Sequence, residues 1–366
     1  MIDRRLFINV DWILIGLVMA IAGIGIMNIH SASIPYKILG TSYETKQLYW
    51  FIAGLVLVSV VCSIDYHLLE DFSFWLYGSV VLLLVCVLLF GRTSMGATRW
   101  LNLGLFNVQP SELMKIVIIA AFASFFSRRS YPAGIGLADL GAPLLLLGLP
   151  ALLVMKQPDL GTAVMIILVA ASIMVYVGLR LSTIASIFGA TIPLIYLGWR
   201  FGLREYQKSR VLNFLDPERD PLGSGYHLIQ SKIAVGSGGV FGKGYMHGTQ
   251  TQLRFLPEQH TDFAFSVFAE EWGFAGCLVL VLLYMFLIMW GLQIANQCND
   301  RFGSILAVGV TAMLFWHAVI NIGMVIGLFP VVGVPLPFFS YGGTSMVTSM
   351  LGIGILLNIR MRRFMF

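Results

Sequence analysis

Residues 255–291 read FLPEQHTDFAFSVFAEEWGFAGCLVLVLLYMFLIMWG. The first part, Phe255 to Gly273, closes a polar segment over 200–264, and from 265 to 291 the chain is almost wholly apolar. A helix needs about 17–25 apolar residues to cross the hydrocarbon core of a bilayer, and this run supplies them. Asp262 stands directly before the change. A carboxylate there can meet water on one side and a lipid-borne substrate on the other, so Asp262 is the first candidate for a working group.

Nine further runs share that character. With 265–291 they cover 12–31, 47–63, 73–90, 111–127, 141–156, 161–178, 183–200, 303–327 and 341–360. The expectation is an all-α polytopic bundle of about ten transmembrane helices, forming a single domain over 1–366. The boundary between the fifth and sixth spans is the shortest, only MKQPDL. Composition agrees: 58% of the residues are hydrophobic and 11% charged, against about 25% charged in soluble domains. The net charge of +5 is spread over loops and chain ends. That distribution argues against a nucleic-acid partner and for contact with anionic lipid. The first run starts after eleven residues and more spans follow, so it reads as a helix that stays rather than a cleaved signal.

An even number of spans puts both termini on one side, and the charges choose which. With the N-terminus inside, the cytoplasmic segments hold nine Lys/Arg and the short outer loops five, which favours both termini in the cytoplasm. The large loop 200–264 then lies outside. It carries eight Lys/Arg and six Asp/Glu, 8 − 6 = +2. It also keeps Leu228, Ile229, Ile233, Val235 and Phe241, so it is expected to fold onto the membrane surface. Tyr226 to Val235 reads as a short helix, interfacial or merely local.

Several polar residues sit where polar residues are costly. Asp262 is either an N-cap or a functional acid. At 3.6 residues per turn Glu270 lies about 80° and Glu271 about 180° from it, so one straight helix makes no dyad of them. Glu270 and Glu271 are expected to face the protein interior or the interface. In NVQPSELMKI, Glu112 and Lys115 are three residues apart on one helix face, a structural pair or a phosphate contact. Asp159 in QPDLGT is a turn or cap, or else a cavity acid. Arg204 and Arg210 can bind a pyrophosphate, because guanidinium makes bidentate contacts with phosphate oxygens; juxtamembrane arginines also meet headgroups. The irregular stretch PVVGVPLPFFSYGGTS around Ser340 belongs where backbone lines a cavity. GSGGVFGKG fails the phosphate-loop pattern at Ser237 and Gly244 and reads as a flexible turn. His227, His247 and His260 match no metal spacing, and the four cysteines suggest neither disulfides nor a zinc cage.

LPEQHTDFAF followed by EEWG, with RWLNLG, QPSELMK, QPDLGT, LDPERDPLGSGYH and PLPFFSYGG, resembles the shape, elongation, division and sporulation (SEDS) family. PVVGVPLPFFSYGG and LIQSKIAVGSGG resemble its cell-elongation branch more than its division branch. The resemblance runs from about residue 90 to the C-terminus and is weak over 1–46. It implies a ten-helix peptidoglycan glycosyltransferase of the bacterial cytoplasmic (inner) membrane, polymerising lipid II on the extracytoplasmic side. It further implies Asp262 as the essential acid, with Glu112 and Lys115 as functional residues. It implies a class B penicillin-binding protein transpeptidase and other elongation-complex proteins as partners. No covalent cofactor is implied, but assistance from a divalent cation, Mg2+ or Mn2+, is. A lipid II flippase and a scaffold for other enzymes are the rival functions; a transporter needs groups reachable from both faces, whereas a polymerase needs its acid at one.

Overall fold

Long apolar runs without side-chain partners for their backbone become helices in lipid, because only a helix satisfies every N–H and C=O internally. The computed structural model describes residues 10–37, 42–94, 97–102, 107–202, 205–217, 224–256 and 258–363. Helices α1 (Trp12–Lys37), α2 (Tyr43–Ser63) and α3 (His67–Phe90) are followed by strands β1 (Arg92–Ser94), β2 (Ala97–Asn102) and β3 (Asn107–Val108). Then come α4 (Pro110–Ser127), α5 (Gly141–Lys156), α6 (Leu160–Val177), α7 (Leu181–Leu197), α8 (Glu205–Leu215), α9 (Ser224–Ser237) and the single turn α10 (Thr249–Gln252). The chain ends in α11 (Ala264–Asn296), α12 (Arg301–Val325) and α13 (Gly343–Arg362). Among the described residues ten helices, α1 to α7 and α11 to α13, are long and apolar enough to span a membrane. They match the ten expected runs.

Three of them form the centre. The spanning windows of α4 and α13 are 78% buried and that of α12 72%, whereas α7 is 6% buried and faces outward. Those inner helices carry the polar residues a lipid-facing helix excludes: Glu112 and Lys115 on α4, Thr311, His317 and Asn321 on α12, Ser345 and Asn358 on α13. An intramembrane polar group persists when it faces the bundle interior.

The segment between α3 and α4 holds a small antiparallel sheet in the order β1-β2-β3, with Thr93 opposite Thr98 and Leu101 opposite Val108. In the 200–264 segment the expected helix exists as α9. It buries Leu228, Ser231 and Ala234, spaced to share one face. The Ser231 hydroxyl lies 2.8 Å from that of Ser266 and donates to the Val325 carbonyl at 2.7 Å, which ties α9 to α11 and α12.

The ends of the spans alternate between two faces. Asp11 and Arg360, at opposite ends of the chain, form an ion pair at 3.3 Å, so the two terminal segments meet on one face. On the other face α2, α4, α6, α11 and α13 begin and α12 ends.

Candidate active site

The site is assembled from those starts and that end. Asp262, Glu112, Lys115 and Asp159 line one cavity of about 520 Å³, together with Arg99, Trp50, Gln109, Thr162, His317 and the stretch Gly333–Pro335. All of it lies at a single end of the bundle. Beyond Lys115 the next inward turns of α4 present Ile118, Ile119 and Phe122, each fully buried, so the polar lining stops there.

Asp262 does not cap α11. The cap residue is Phe263, with no side-chain hydrogen bond to the helix, and this rules out the N-cap alternative. Its position is held by backbone instead: Asn321 Nδ2 donates to the carbonyls of both Asp262 (3.0 Å) and Val334 (2.7 Å). One α12 side chain thereby clamps the α11 approach to the loop before α13. Gly333, at φ +70°, sits so close that a Cβ there would lie 3.2 Å from Asp262 Oδ2. The half-buried carboxyl is pushed up to about 6, first by its burial and then by the nearby charge of Glu258, while Arg210 and Arg99 pull it down. Burial disfavours the charged form of a carboxylate.

Glu112 and Lys115 meet at 2.8 Å, and Lys115 Nζ also lies 2.8 Å from His317 Nε2. His317 Nδ1 is 2.9 Å from the Met313 carbonyl. The carbonyl can only accept, so Nδ1 carries the proton and Nε2 accepts from the ammonium: the ring is neutral. Glu112 Oε2 is buried and has no hydrogen-bond partner among the described residues. The expected pair is therefore an α4–α12 triad lining the cavity.

Asp159 combines both readings offered for it. Its carboxylate caps α6 through Thr162 N (3.3 Å) and Thr162 Oγ1 (2.9 Å), accepts from Gln109 at 3.1 Å and faces Arg99 Nε at 3.8 Å. Arg99 also donates to the Pro158 carbonyl, which fixes β2 against the α5–α6 turn. Arg210, on α8, borders a separate small space with Asn213 and Val331, although its charge reaches Asp262. Arg204 lies outside the described residues. Ser340 is beside the cavity rather than in it. Its hydroxyl accepts from Leu336 N at 3.1 Å and its carbonyl accepts from Gln47 at 3.0 Å, so it staples the PLPFF turn while Tyr341 and Gly342 reach the cavity.

The neighbouring acids have structural work, both fully buried as expected. Glu270 Oε1 accepts from Lys243 Nζ (2.7 Å), Gln250 N (3.0 Å) and Thr249 Oγ1 (3.2 Å), and Oε2 from Thr251 Oγ1 (3.3 Å). Glu271 accepts from Ser31 of α1. GSGGVFGKG is a closely packed turn rather than a flexible one. Lys243 N and Gly244 N donate to the carbonyls of Glu270 and Glu271, and Phe274 N and Ala275 N donate to Gly239 and Val240. Those last bonds are made possible by a break in α11 at Gly273 (φ 63°, ψ −164°). The three loop histidines are apart: His227 stacks on Phe263, His260 on Tyr43, and His247 contacts the Tyr245 carbonyl.

The sequence alone does not single out His317 or Arg99. His317 carries a usable signal, since an ionisable residue inside an apolar span marks a functional site by default. Arg99 sits in the quoted RWLNLG, but nothing in that string shows that it reaches Asp159.

A family profile described as cell cycle protein, covering FtsW, RodA and SpoVE, matches residues 11–364. The chain belongs to this family. It thus carries the SEDS fold along nearly its full length, including the N-terminal span where the motifs are weak. Its relatives include the peptidoglycan glycosyltransferase MrdB of Escherichia coli K12, 47% identical over 315 residues, 85% of this chain and 84% of that one. Another is the peptidoglycan glycosyltransferase RodA of Treponema pallidum, 33% identical, with 96% and 98% of the two chains covered. Among solved structures, a chain from a study of polymerization and crosslinking by a peptidoglycan synthase complex superposes with a TM-score of 0.84. It is 34% identical, with 98% and 99% covered. RodA of Thermus thermophilus superposes with a TM-score of 0.71 at 28% identity, with 97% and 98% covered. This SEDS protein is a multi-pass membrane protein.

Proposed function

We propose that this SEDS protein is a peptidoglycan glycosyltransferase that extends glycan strands from lipid II, with Asp262 as general base. The observation that carries the reading is the one-sided cavity in which Asp262, raised to about 6, shares a wall with the Glu112–Lys115–His317 triad and Arg99. The relatives' activity, as their names state it, supports the class of reaction.

In this reading the acceptor's GlcNAc 4-hydroxyl oxygen attacks C1 of the donor MurNAc. The C1–O bond to the pyrophosphate breaks, the hydroxyl proton passes to Asp262, and the α-linked donor becomes a β-1,4 bond. A carboxyl near 6 is mostly ionised at neutral pH, yet is a better proton acceptor than an ordinary carboxylate. Undecaprenyl pyrophosphate leaves without protonation, so what it needs is positive charge. Lys115 and Arg99 supply it from the cavity wall, and the charge of Arg210 reaches Asp262 from α8. A single acid suffices, unlike hydrolases that oppose two carboxylates.

A divalent cation has no ready-made cage here. Among the described residues no group of three or more His, Cys, Asp or Glu comes together. Glu112 is engaged by Lys115, and Asp159 by Thr162, Gln109 and Arg99. No step is routed through a metal.

The cavity end of the bundle is the extracytoplasmic end in this reading. The large loop and the sheet gather there, and the nine-to-five charge excess supports a cytoplasmic terminal face. The transpeptidase partner is a class B penicillin-binding protein, in keeping with the coordination of polymerization and crosslinking in the peptidoglycan synthase complex that supplies the 0.84 match. The test is purified protein in detergent with lipid II. Wild type makes strands resolvable on a gel and Asp262→Asn makes none; strands from Asp262→Asn would remove the base assignment. No product from either protein would favour the flippase.

A further inference from the structure

The last span begins inside the cavity. Gly342, Gly343, Thr344 and Ser345, which open α13, all stand in its lining. The first bond of that helix runs from Met346 N to the Gly342 carbonyl at 2.8 Å. The N–H groups of Gly343, Thr344 and Ser345 come before it and have no acceptor among the described residues. No side chain caps the helix, and its first turn holds no acid. A helix start left in that state carries about half a positive charge.

The side chains make this more than a bare helix end. Ser345 is only 8% exposed, yet its hydroxyl has no hydrogen-bond partner among the described residues. A hydroxyl so buried is normally matched within the protein, and leaving it unmatched is costly. What remains exposed of Ser345 is in the cavity wall, so an acceptor for it has to come from the cavity. Thr344 brings a second hydroxyl, also without a partner among the described residues. The Trp50 indole of α2 lies against the backbone at Gly343, where a Cβ would come within 2.5 Å of it; glycine leaves room for that contact. Lys115 and Arg99 share the cavity. Of its carboxylates, Glu112 is answered by Lys115 and Asp159 by Thr162, Gln109 and Arg99.

We propose that the start of α13 is the subsite for the pyrophosphate of the lipid-linked substrate. Its oxygens accept from the N–H groups of Gly343, Thr344 and Ser345 and from the hydroxyls of Thr344 and Ser345. The assignment rests on the reading of the cavity as a lipid II site and adds where the leaving group is held. Five donors in three consecutive residues, with no acceptor for any of them, select an anion over a sugar, whose hydroxyls both donate and accept. The backbone donors carry no acidic proton to give up. They stabilise the departing pyrophosphate without protonating it and leave proton transfer to Asp262.

The experiment is native mass spectrometry of the full-length protein in detergent, titrated with undecaprenyl pyrophosphate or with undecaprenol, which has the same tail and no phosphate. Wild type should retain the pyrophosphate more tightly. Ser345→Ala should weaken it about tenfold, the value of one hydrogen bond to a charged group, and leave undecaprenol unchanged. Ser345→Asp sets a carboxylate in the first turn, where it favours the helix. Its melting temperature should therefore hold or rise while undecaprenyl pyrophosphate loses its advantage over undecaprenol, a pairing that a purely structural serine would not produce. Inorganic pyrophosphate at equal concentration should not displace the lipid; if it does, the site serves a soluble anion and the assignment fails. Equal retention of the two lipids by wild type, or wild-type retention of the pyrophosphate by either variant, overturns the proposal. Failure of wild type to make strands, with the phosphate preference intact, would strike the proposed reaction and leave this subsite standing. Strands without that preference would strike the subsite alone.

Discussion

At the scale of single residues, Asp262 is held in an environment that resists its charge. The cause is its partial burial, reinforced by Glu258. A base with that environment should give kcat/KM an acid limb centred near pH 6 rather than near 4. Glu258→Gln should move the limb down and Arg210→Gln should move it up, each readable from a pH–rate profile on lipid II. Stability should show the opposite preference. The folded carboxyl binds its proton more tightly than the unfolded one, so the folded state holds more protons between about pH 4 and 6 and loses relative stability as pH rises through that window. Asp262→Asn removes that loss, so it should cut turnover by at least about 10²-fold while melting at the same or a higher temperature than wild type at pH 7. A lower melting temperature would show that the carboxylate is structural. The buried triad predicts a different pattern. Lys115→Met leaves Glu112 and the neutral His317 buried together without their shared partner and should cost about 3–5 kcal/mol. Lys115→Met with Glu112→Leu should cost much less than the sum of the singles, measured by thermal unfolding in one detergent.

At the scale of elements, α11 does two jobs because it is broken. Up to Glu271 it carries two buried acids, Glu270 fastening the loop before it and Glu271 bonded to Ser31 of α1, and beyond Gly273 it is a plain apolar span. The break depends on a backbone conformation that L-residues avoid, and any Cβ at 273 would overlap Gly242 N. Gly273→Ala should therefore destabilise by about 1–3 kcal/mol or more and free the 238–252 turn to proteases, whereas Gly23→Ala in α1, where a Cβ meets open space, should do neither. Limited proteolysis of the two variants distinguishes them. The acids EE were legible as facing the interior or the interface, since two charges beside an apolar run are costly facing lipid. Their partners were not, because Lys243, Thr249 and Gln250 approach Glu270 only once the glycine run folds back along the broken helix. The sheet at 92–108 was missed for a related reason: strands of two to six residues carry too little alternation to separate from loop.

At the scale of the whole molecule, the even number of spans and the Asp11–Arg360 contact put both ends of the chain on one face and the cavity on the other. Single cysteines placed at Lys243 and at Asn299, in a background lacking the four native ones, should be labelled by a membrane-impermeant maleimide from opposite sides of the membrane. Position 243 should react in intact cells and position 299 only after permeabilisation. Labelling of both from outside would undo the proposed topology and with it the proposed extracytoplasmic placement of Asp262.

The sequence by itself determined the number, order and near-exact extent of the spans, because lipid imposes one simple rule of length and apolarity on each segment separately. It also determined that Asp262, Glu112, Lys115 and Asp159 sit at span ends, since charge is excluded elsewhere. Which of these residues share a cavity, that His317 closes the triad, and that Ser340 serves the turn beside the site were decided only by the tertiary structure. Those outcomes depend on which helix faces turn inward and how deep each helix sits. Helices apolar on every side carry no stripe in their sequence from which to read either.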